Sequence, residues 1–302
     1  MKKFKGMVNL FRKEKYDVVH VDASTPYDVM VALAAKVAGI RTIVLHSHND
    51  DFQKSKPLRD AFMPLYKVIM LFAVTDYFTI SEKAAQFMFP KSIFRKKKYQ
   101  LVRNGIDTDE FLFSEEDRKK VRIELGVEDK VVVGHIGRFV YQKNHEFILR
   151  TFAEYHKTNP NSVLLLVGEG ELLDSMKNLA RELDVFDEVI FYGVTHDVRK
   201  VLLAMDVFIF PSRFEGLGIA AIEAQANGLL TLCADSIVEE VNVTDRFVRV
   251  HGWDSKYWAE QIAKNLKKSR KSDCKQQIIE AGYDIKRTVQ QLEDFYIRSV
   301  QK

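Results

Sequence analysis

The sequence predicts an α/β protein with two doubly wound parallel-sheet domains, the first of them incomplete. Short apolar runs, typical of strands that are buried on both faces, alternate with stretches of helical period along most of the 302 residues. The turn dipeptide Asn104-Gly105, followed by polar residues, interrupts this alternation. Strand–helix repeats on both sides of such a break favour two separate parallel sheets.

The individual elements follow from the same patterns. Helical patterns lie between the strands, and the C-terminal segment has helical patterns without a strand pattern. The predicted helices between strands include 26–38, 146–157, 171–183 and 198–204. The predicted strands are 17–21, 42–46, 77–80 and 99–102 before the break, and 131–136, 163–167, 188–192, 207–210 and 230–233 after it. The domain boundaries are therefore expected near 1–108 and 109–283, with a last helix at 284–302.

Composition favours a globular protein of the cytoplasm. Hydrophobic residues make up 46% of the chain and charged residues 29%. The apolar run at 68–74 is far shorter than the roughly 18 residues that a membrane helix needs. The basic N-terminus lacks the long apolar core of a secretory signal. Cys233 and Cys274 are isolated, which argues against a disulfide framework or a zinc site.

The net charge of +4 is mild, but the basic residues are clustered. Each cluster is either a solvated face or a surface that contacts anionic lipid, which would place the chain at the inner face of the cell membrane. Neither cluster contains interleaved aromatic residues or a nucleic-acid motif, so nucleic acid is not an expected partner. The clusters are Lys2, Lys3, Lys5, Arg12, Lys13 and Lys15, and Arg95, Lys96, Lys97 and Lys98.

The segment 206–236 carries the strongest functional signal. It contains a strand, a Pro-Ser turn, a glycine-rich corner and a helix, with Glu215 in the loop and Glu223 eight residues later in the helix. Free N–H groups and the positive end of the helix dipole make such a corner an anion site. Two carboxylates would repel a bare phosphate but can bind hydroxyl groups. A ligand that is part phosphate and part sugar is therefore indicated.

This segment resembles the E-x7-E motif of family 4 of the retaining, nucleotide-sugar glycosyltransferases, which have the GT-B fold. The strand that begins with aspartate, the Pro-Ser turn, the aromatic-Glu-Gly-Leu-Gly corner and the Glu-Ala-Gln helix all match, and the likeness is closest to bacterial capsular and exopolysaccharide enzymes. It extends from Tyr16 to the C-terminus and is strongest over 130–236. Leu230 departs from the pattern, since the family more often has proline there.

The resemblance implies transfer of a hexose from a UDP- or GDP-sugar to a glycan or lipid-linked saccharide acceptor, with retention of configuration. It implies two Rossmann-like domains, a last helix that returns to the first domain, and no cofactor or metal ion. Arg138 and Lys143, in the segment 134–147, match the family residues that bind the diphosphate. By themselves they would be taken as solvated loop residues, but the segment 206–236 supports the functional reading.

The resemblance also implies roles around the donor. Glu223 would bind the ribose hydroxyls, and Glu215 would contact the donor sugar and the leaving phosphate. The backbone N–H groups of Gly216, Leu217 and Gly218 would face the diphosphate. Two further turns would line the nucleotide, one containing Gly168 and Gly170 and one containing Gly193. The glycines of the first of these turns are needed for backbone shape more than for chemistry.

A histidine on the acceptor side is expected to contact the sugar near its reactive carbon. His46 and His48 both follow the second predicted strand, and the sequence leaves open which of them matches, with a slight preference for His48. Asn49 and Asp50 are weaker candidates for positioning the acceptor. His135 and His145 are expected to be structural.

Relatives usually begin with a strand and a glycine-rich loop ahead of the equivalent of Tyr16, so the first domain is expected to be shortened. The chain would be a fragment, take its leading strands from elsewhere, or tolerate their loss. A second functional hypothesis follows, in which the chain is a nucleotide-sugar-binding subunit that is inactive without a partner chain. A nucleotide-sugar epimerase shares the fold, but the E-x7-E motif with its Gly-Leu-Gly corner favours a transferase.

Overall fold

The computed structural model of the protein describes residues 2–49, 61–266, 270 and 274–301. It divides the chain into two compact units. The first consists of Met1–Gly105 with Ile285–Lys302, and the second of Ile106–Asp284. Each unit contains one sheet in which all the described strand pairs are parallel. The predicted α/β class with two parallel sheets is confirmed.

The first unit has a four-stranded sheet whose strands lie side by side in their order along the chain. Gly39 follows the helix Val29–Ala38 in the left-handed conformation (φ +94°), and its N–H donates to carbonyls of the last turn of that helix. The described helices and strands of the first unit up to Gly105 are α1 (Lys2–Glu14), β1 (Val18–Ala23), α2 (Val29–Ala38), β2 (Thr42–Ser47), α3 (Met63–Ala73), β3 (Asp76–Thr79), α4 (Glu82–Met88), α5 (Lys91–Arg95) and β4 (Gln100–Leu101).

The second unit has a six-stranded sheet in the spatial order Phe247–Val250, Leu230–Ala234, Val207–Phe210, Val131–Ile136, Ser162–Val167 and Val189–Gly193. Its central strands are almost wholly buried, as strands of a covered parallel sheet are. Its described elements are α6 (Glu115–Leu125), β5 (Val131–Ile136), α7 (His145–Thr158), β6 (Ser162–Val167), α8 (Leu173–Glu182), β7 (Val189–Gly193), α9 (Val198–Ala204), β8 (Val207–Phe210), α10 (Ile219–Ala226), β9 (Leu230–Ala234), β10 (Phe247–Val250), α11 (Ser255–Asn265) and α12 (Cys274–Glu280).

Strand β10 was not predicted. Arg249 interrupts its apolar residues and Arg246 directly precedes it, so the continuous apolar run that marks the other strands is missing. It lies at the edge of the sheet, where it pairs with β9 alone among the described strands. An edge strand is partly exposed and tolerates charged side chains. The sequence patterns therefore missed this strand.

The strand order of the second unit reverses between β5 and β8. From β5 the chain moves outward through β6 and β7, then returns to β8 and continues outward through β9 and β10 on the other side. In an open parallel sheet, ligands bind outside the carboxyl ends of the strands at such a switch point. A ligand site is therefore expected at the loops that leave β5 and β8, which are residues 137–144 and 211–218.

The C-terminal helix α13 (Ile285–Val300) belongs to the first unit. Its Phe295 packs edge-on against Phe78 of β3, with ring centroids 4.9 Å apart. Thr288 Oγ1 donates a hydrogen bond to the carbonyl of Arg103. Among the helices within the described ranges, none combines the length and apolar character needed to cross a bilayer.

Candidate active site

Hydrogen bonds join the two switch-point loops, although their residues lie about seventy positions apart in the sequence. The carbonyl of Gln142 accepts from the Arg213 N–H (2.8 Å), and Gln142 Nε2 donates to the carbonyl of Phe214 (2.9 Å). The Arg213 guanidinium donates to Asn144 Oδ1 (2.8 Å) and lies over the ring of Tyr141. The two loops therefore hold each other in one arrangement.

A buried ion pair lies between these loops. Lys143 Nζ is 2.6 Å from Glu215 Oε1, and only 16% and 8% of the two side chains are exposed. Gln142 Nε2 donates to the other carboxylate oxygen (3.3 Å), and the ammonium lies 5.1 Å from the centroid of the Phe210 ring. An ammonium has three donors, so two of them remain for a second anionic group. Two residues predicted for the site are thus brought into direct contact.

The glycine-rich corner leads into helix α10. Gly218 caps this helix in the left-handed conformation (φ +85°), and a Cβ there would lie 2.9 Å from the Phe210 ring. The backbone N–H groups of Gly216, Leu217 and Gly218 donate no hydrogen bond within the described ranges. Free N–H groups at a helix N-terminus bind anions. This part of the chain can therefore hold a phosphate close to Lys143.

Glu223 is the fifth residue of α10 and is half-buried. Burial raises the pKa of its carboxyl group to about 7, and the nearby Glu110 raises it further in the same direction. Neither Glu223 nor Arg138, whose side chain is exposed, has a side-chain hydrogen bond or ion pair in the described part of the chain. Both groups are available to a ligand.

The two glycines after β6, Gly168 and Gly170, let the neighbouring backbone come close. Gly168 has φ +139°, and a Cβ on it would lie 2.2 Å from the carbonyl oxygen of Gly137. Its N–H donates to the carbonyl of Gly193 (2.8 Å), so the ends of three adjacent strands meet here. A Cβ on Gly170 would lie 2.5 Å from the carbonyl oxygen of Phe139. No side chain fits at these close approaches.

His135 and His145 lie buried beneath the loop that leaves β5. His135 Nδ1–H donates to the carbonyl of Ile209 (2.8 Å), and the His145 ring stacks on Phe139 with centroids 4.0 Å apart. Burial lowers the pKa of His145 to about 3, helped by the charge of Lys143, and it lowers the pKa of His135 well below its ordinary value. Both imidazoles are therefore neutral and pack as core side chains.

In the first unit, His46 and His48 line one hollow of about 410 Å³. Their ring centroids are 4.2 Å apart. His46 is 5% exposed, and its Nε2–H donates to the carbonyl of Val102 (3.1 Å), whereas His48 Nε2–H donates to Asp22 Oδ1 (3.1 Å). Burial lowers the pKa of His46 to about 3, with His48 and His20 adding to the effect. Asn49 donates to the carbonyl of Ser24, and Asp50 lies outside the described residues.

The sequence patterns missed several residues of the switch-point loops and of the hollow in the first unit. Gln142 and Arg213 were not predicted, because their role is to join loops that are distant in the sequence. His20 and Asp22 alternate along β1, as His46 and His48 do at the end of β2. A period of two along adjacent strands places side chains on one face. That alternation was the available signal.

Comparison with known proteins agrees with this architecture. The family model for glycosyl transferases group 1 matches residues 115–284, and that for Glycosyltransferase Family 4 matches residues 2–110. The chain is 30% identical to EpsF of Bacillus subtilis (strain 168) over 289 residues, which cover 94% of this chain and 74% of EpsF. It is 27% identical to the UDP-Gal:alpha-D-GlcNAc-diphosphoundecaprenol alpha-1,3-galactosyltransferase of Escherichia coli over 323 residues, covering 99% of this chain and 80% of that enzyme.

Solved structures show the same fold. The crystal structure of HepE from Anabaena in complex with UDP superposes with a TM-score of 0.80 at 18% identity, and the match covers 98% of this chain and 82% of HepE. Sucrose-phosphate synthase from Thermosynechococcus elongatus superposes with a TM-score of 0.77 at 18% identity over 98% of this chain and 77% of its own. The chain therefore belongs to the glycosyl transferases group 1 and is a glycosyltransferase of the GT-B fold.

Proposed function

We propose that the protein transfers a hexose from a UDP- or GDP-sugar to a glycan or lipid-linked saccharide acceptor, with retention of configuration, in polysaccharide biosynthesis. The observation that carries the proposal is the buried contact of Lys143 with Glu215 at the switch point between β5 and β8. Beside it lie three backbone N–H groups without a described partner. Cation, carboxylate and N–H groups together suit a ligand that contains both phosphate and sugar.

Each donor-binding role follows from the chemistry of one group. Lys143 and the N–H groups of residues 216–218 bind the diphosphate, with the exposed Arg138 adding a bidentate contact. Glu223 accepts hydrogen bonds from the ribose hydroxyls, since its carboxyl group has no described partner of its own. Glu215 contacts the donor sugar. Gly168 and Gly193 line the nucleotide through their backbone.

The reaction breaks the bond between the anomeric carbon and the diphosphate oxygen, and it forms a bond from that carbon to the acceptor oxygen on the same face. The acceptor proton passes to the leaving phosphate oxygen, so no protein nucleophile is needed. Negative charge grows on the leaving group, and preorganised cations and N–H groups stabilise it. In this proposal Arg138 and Lys143 replace a divalent metal ion, and His46 or His48 contacts the sugar near the reactive carbon.

Relatives support the class of donor and acceptor. The similar Escherichia coli enzyme is named for a UDP-linked galactose donor and a diphosphoundecaprenol-linked acceptor. HepE has been crystallised with UDP-glucose, and a GDP-mannose-dependent enzyme of Mycolicibacterium smegmatis is 26% identical over 234 residues. The proposal therefore includes both UDP-sugars and GDP-sugars as donors.

The proposed location is the cytoplasmic face of a membrane with anionic lipid. Helix α3 exposes apolar side chains, among them Leu65, Val68 and Phe72, and a hollow of about 750 Å³ beside it is also lined by Lys2 and Lys3 of α1. Apolar side chains next to lysines suit an anionic bilayer surface. Sedimentation with anionic vesicles, lost on Leu65→Ser/Phe72→Ser and absent with zwitterionic vesicles, would support this location.

The test of the proposed function is a screen of UDP- and GDP-sugars with saccharide acceptors, monitored by release of nucleoside diphosphate. The expected result is turnover of one donor that added Mg²⁺ does not raise above the rate in EDTA. Lys143→Ala is expected to lower kcat by about 10²–10³, as removal of one preorganised donor does. Glu215→Ala should lower the rate as well. Lys157→Ala, which removes an exposed lysine, should leave the rate unchanged.

All variants are assayed at low temperature, with circular dichroism to confirm that each is folded. Unchanged rates in Lys143→Ala and Glu215→Ala would rule out the assigned roles. Binding of a nucleotide sugar without turnover, restored by a second chain, would favour the hypothesis of a partner-dependent subunit.

A further inference from the structure

The hollow of the first unit contains a second cluster of polar side chains, made by His20, Asp22 and His46. Each contributes one potential ligand atom, and the three atoms lie within 4.8 Å of one another. His20 and Asp22 are two positions apart on β1, and Asp22 pairs in register with His46 on β2. The cluster is therefore built on two hydrogen-bonded strands, which hold their side chains more firmly than a loop would.

In both histidines one ring nitrogen is engaged elsewhere. His46 Nε2–H donates to the carbonyl of Val102 (3.1 Å), which leaves Nδ1 as a lone pair 3.9 Å from Asp22 Oδ1. His20 Nδ1 lies 2.6 Å from the hydroxyl oxygen of Tyr296. His20 Nε2 is buried, has no hydrogen-bond partner among the described residues, and lies 3.7 Å from Asp22 Oδ1.

This is the arrangement that metal-binding histidines adopt. Such a histidine donates its second N–H to a carbonyl or another oxygen, which sets the tautomer and aims the other nitrogen at the ion. When His20 Nδ1–H donates to Tyr296, its Nε2 lone pair faces Asp22. Bonds of about 2.0–2.2 Å to a tetrahedral ion place ligand atoms about 3.3 Å apart. The distances of 3.7 and 3.9 Å from the two histidine nitrogens to Asp22 Oδ1 therefore need only a small contraction. The ligand atoms of the two histidines lie within 4.8 Å of each other and must also come closer.

We propose that His20 Nε2, His46 Nδ1 and a carboxylate oxygen of Asp22 bind one divalent transition-metal ion of the zinc class. Imidazole and carboxylate ligands suit Zn²⁺, Co²⁺ and Ni²⁺. His48 donates to Asp22 and orients its carboxylate. The remaining coordination positions face the hollow. This site goes beyond the proposed function, which needs no metal ion and uses the first unit for the sugar.

The test is titration of the full chain, without a polyhistidine tag and freed of metal, with Zn²⁺ in a calorimeter. Visible absorption of bound Co²⁺ reports the coordination. The expected result is one equivalent bound, with an affinity at least tenfold lower in Asp22→Asn and in His20→Gln. Asp22 is 75% exposed, so its replacement leaves the fold intact. The proposal would be overturned if the wild type did not bind one equivalent, or if both variants bound Zn²⁺ as tightly as the wild type does.

Two further variants sharpen the result. His251→Gln is the matched control, because His251 and Asp235 form an exposed pair (2.7 Å) in the second unit. The affinity of this variant for Zn²⁺ should equal that of the wild type. Tyr296→Phe removes the group that anchors His20, and an affinity loss of about tenfold or more is expected. No change in Tyr296→Phe would refute the anchored geometry. None of these measurements depends on transferase activity, so a failure of this proposal is distinct from a failure of the proposed function.

Discussion

Replacing Lys143 with methionine tests whether burial makes the pair with Glu215 essential to the second unit. The substitution leaves a carboxylate that is only 8% exposed without its cation. Removing one partner of a buried ion pair costs about 3–5 kcal/mol. Gln142 still donates to Glu215 (3.3 Å), so we expect the lower end, about 3 kcal/mol of unfolding free energy. Lys143→Met/Glu215→Met should recover most of it, because no charge then remains unpaired.

Urea unfolding followed by tryptophan fluorescence measures this effect selectively. Trp253 and Trp258 are the two tryptophans of the chain, and both lie in the second unit. The control is Lys157→Met, which breaks a pair of nearly the same length, 2.7 Å to Glu154, whose side chains are 66% and 33% exposed. It should cost less than about 1 kcal/mol. Equal losses in Lys143→Met and Lys157→Met would refute the reasoning from burial.

Three further predictions concern the second unit. In the proposed function the Glu223 carboxylate binds the ribose, and the pKa of Glu223 is about 7. The affinity for the nucleotide sugar that the donor screen identifies, measured by calorimetry, should therefore fall about tenfold from pH 8 to pH 6, and Glu223→Gln should remove this dependence. Gly168→Ala should lower the free energy of unfolding in urea by more than about 3 kcal/mol, because φ is +139° and a Cβ would overlap a carbonyl oxygen. The control Gly126→Ala, at φ +65° with open space around the Cβ, should lower it by about 1 kcal/mol. The free energy of unfolding should decrease by about 2 kcal/mol from pH 7 to pH 5 through His145 alone, and further through His135. Both histidines have pKa values below 6.5 in the folded state, so stability is lost as the pH falls below 6.5. A flat profile between these pH values would contradict the burial of neutral imidazoles.

Much of the fold could be predicted because its signals are local. Runs such as Val163–Val167 are apolar on both faces, and a parallel sheet covered on both sides requires that pattern. The glycine corner before α10 and the spacing of Glu215 and Glu223 are also local, since strand, turn and helix follow one another along the chain. These features located the candidate phosphate site before any strand order was known.

Other features depended on contacts between distant parts of the chain. The pair of Lys143 with Glu215 spans 72 positions, and it exists because β5 and β8 are neighbours at the reversal of the strand order. The approach of His20 and Asp22 to His46 likewise depends on the register of β1 with β2. Strand order and register are set by the packing of the whole sheet. Residue type and spacing in the sequence therefore determined which groups could bind phosphate or sugar, and only the tertiary structure decided which of those groups meet.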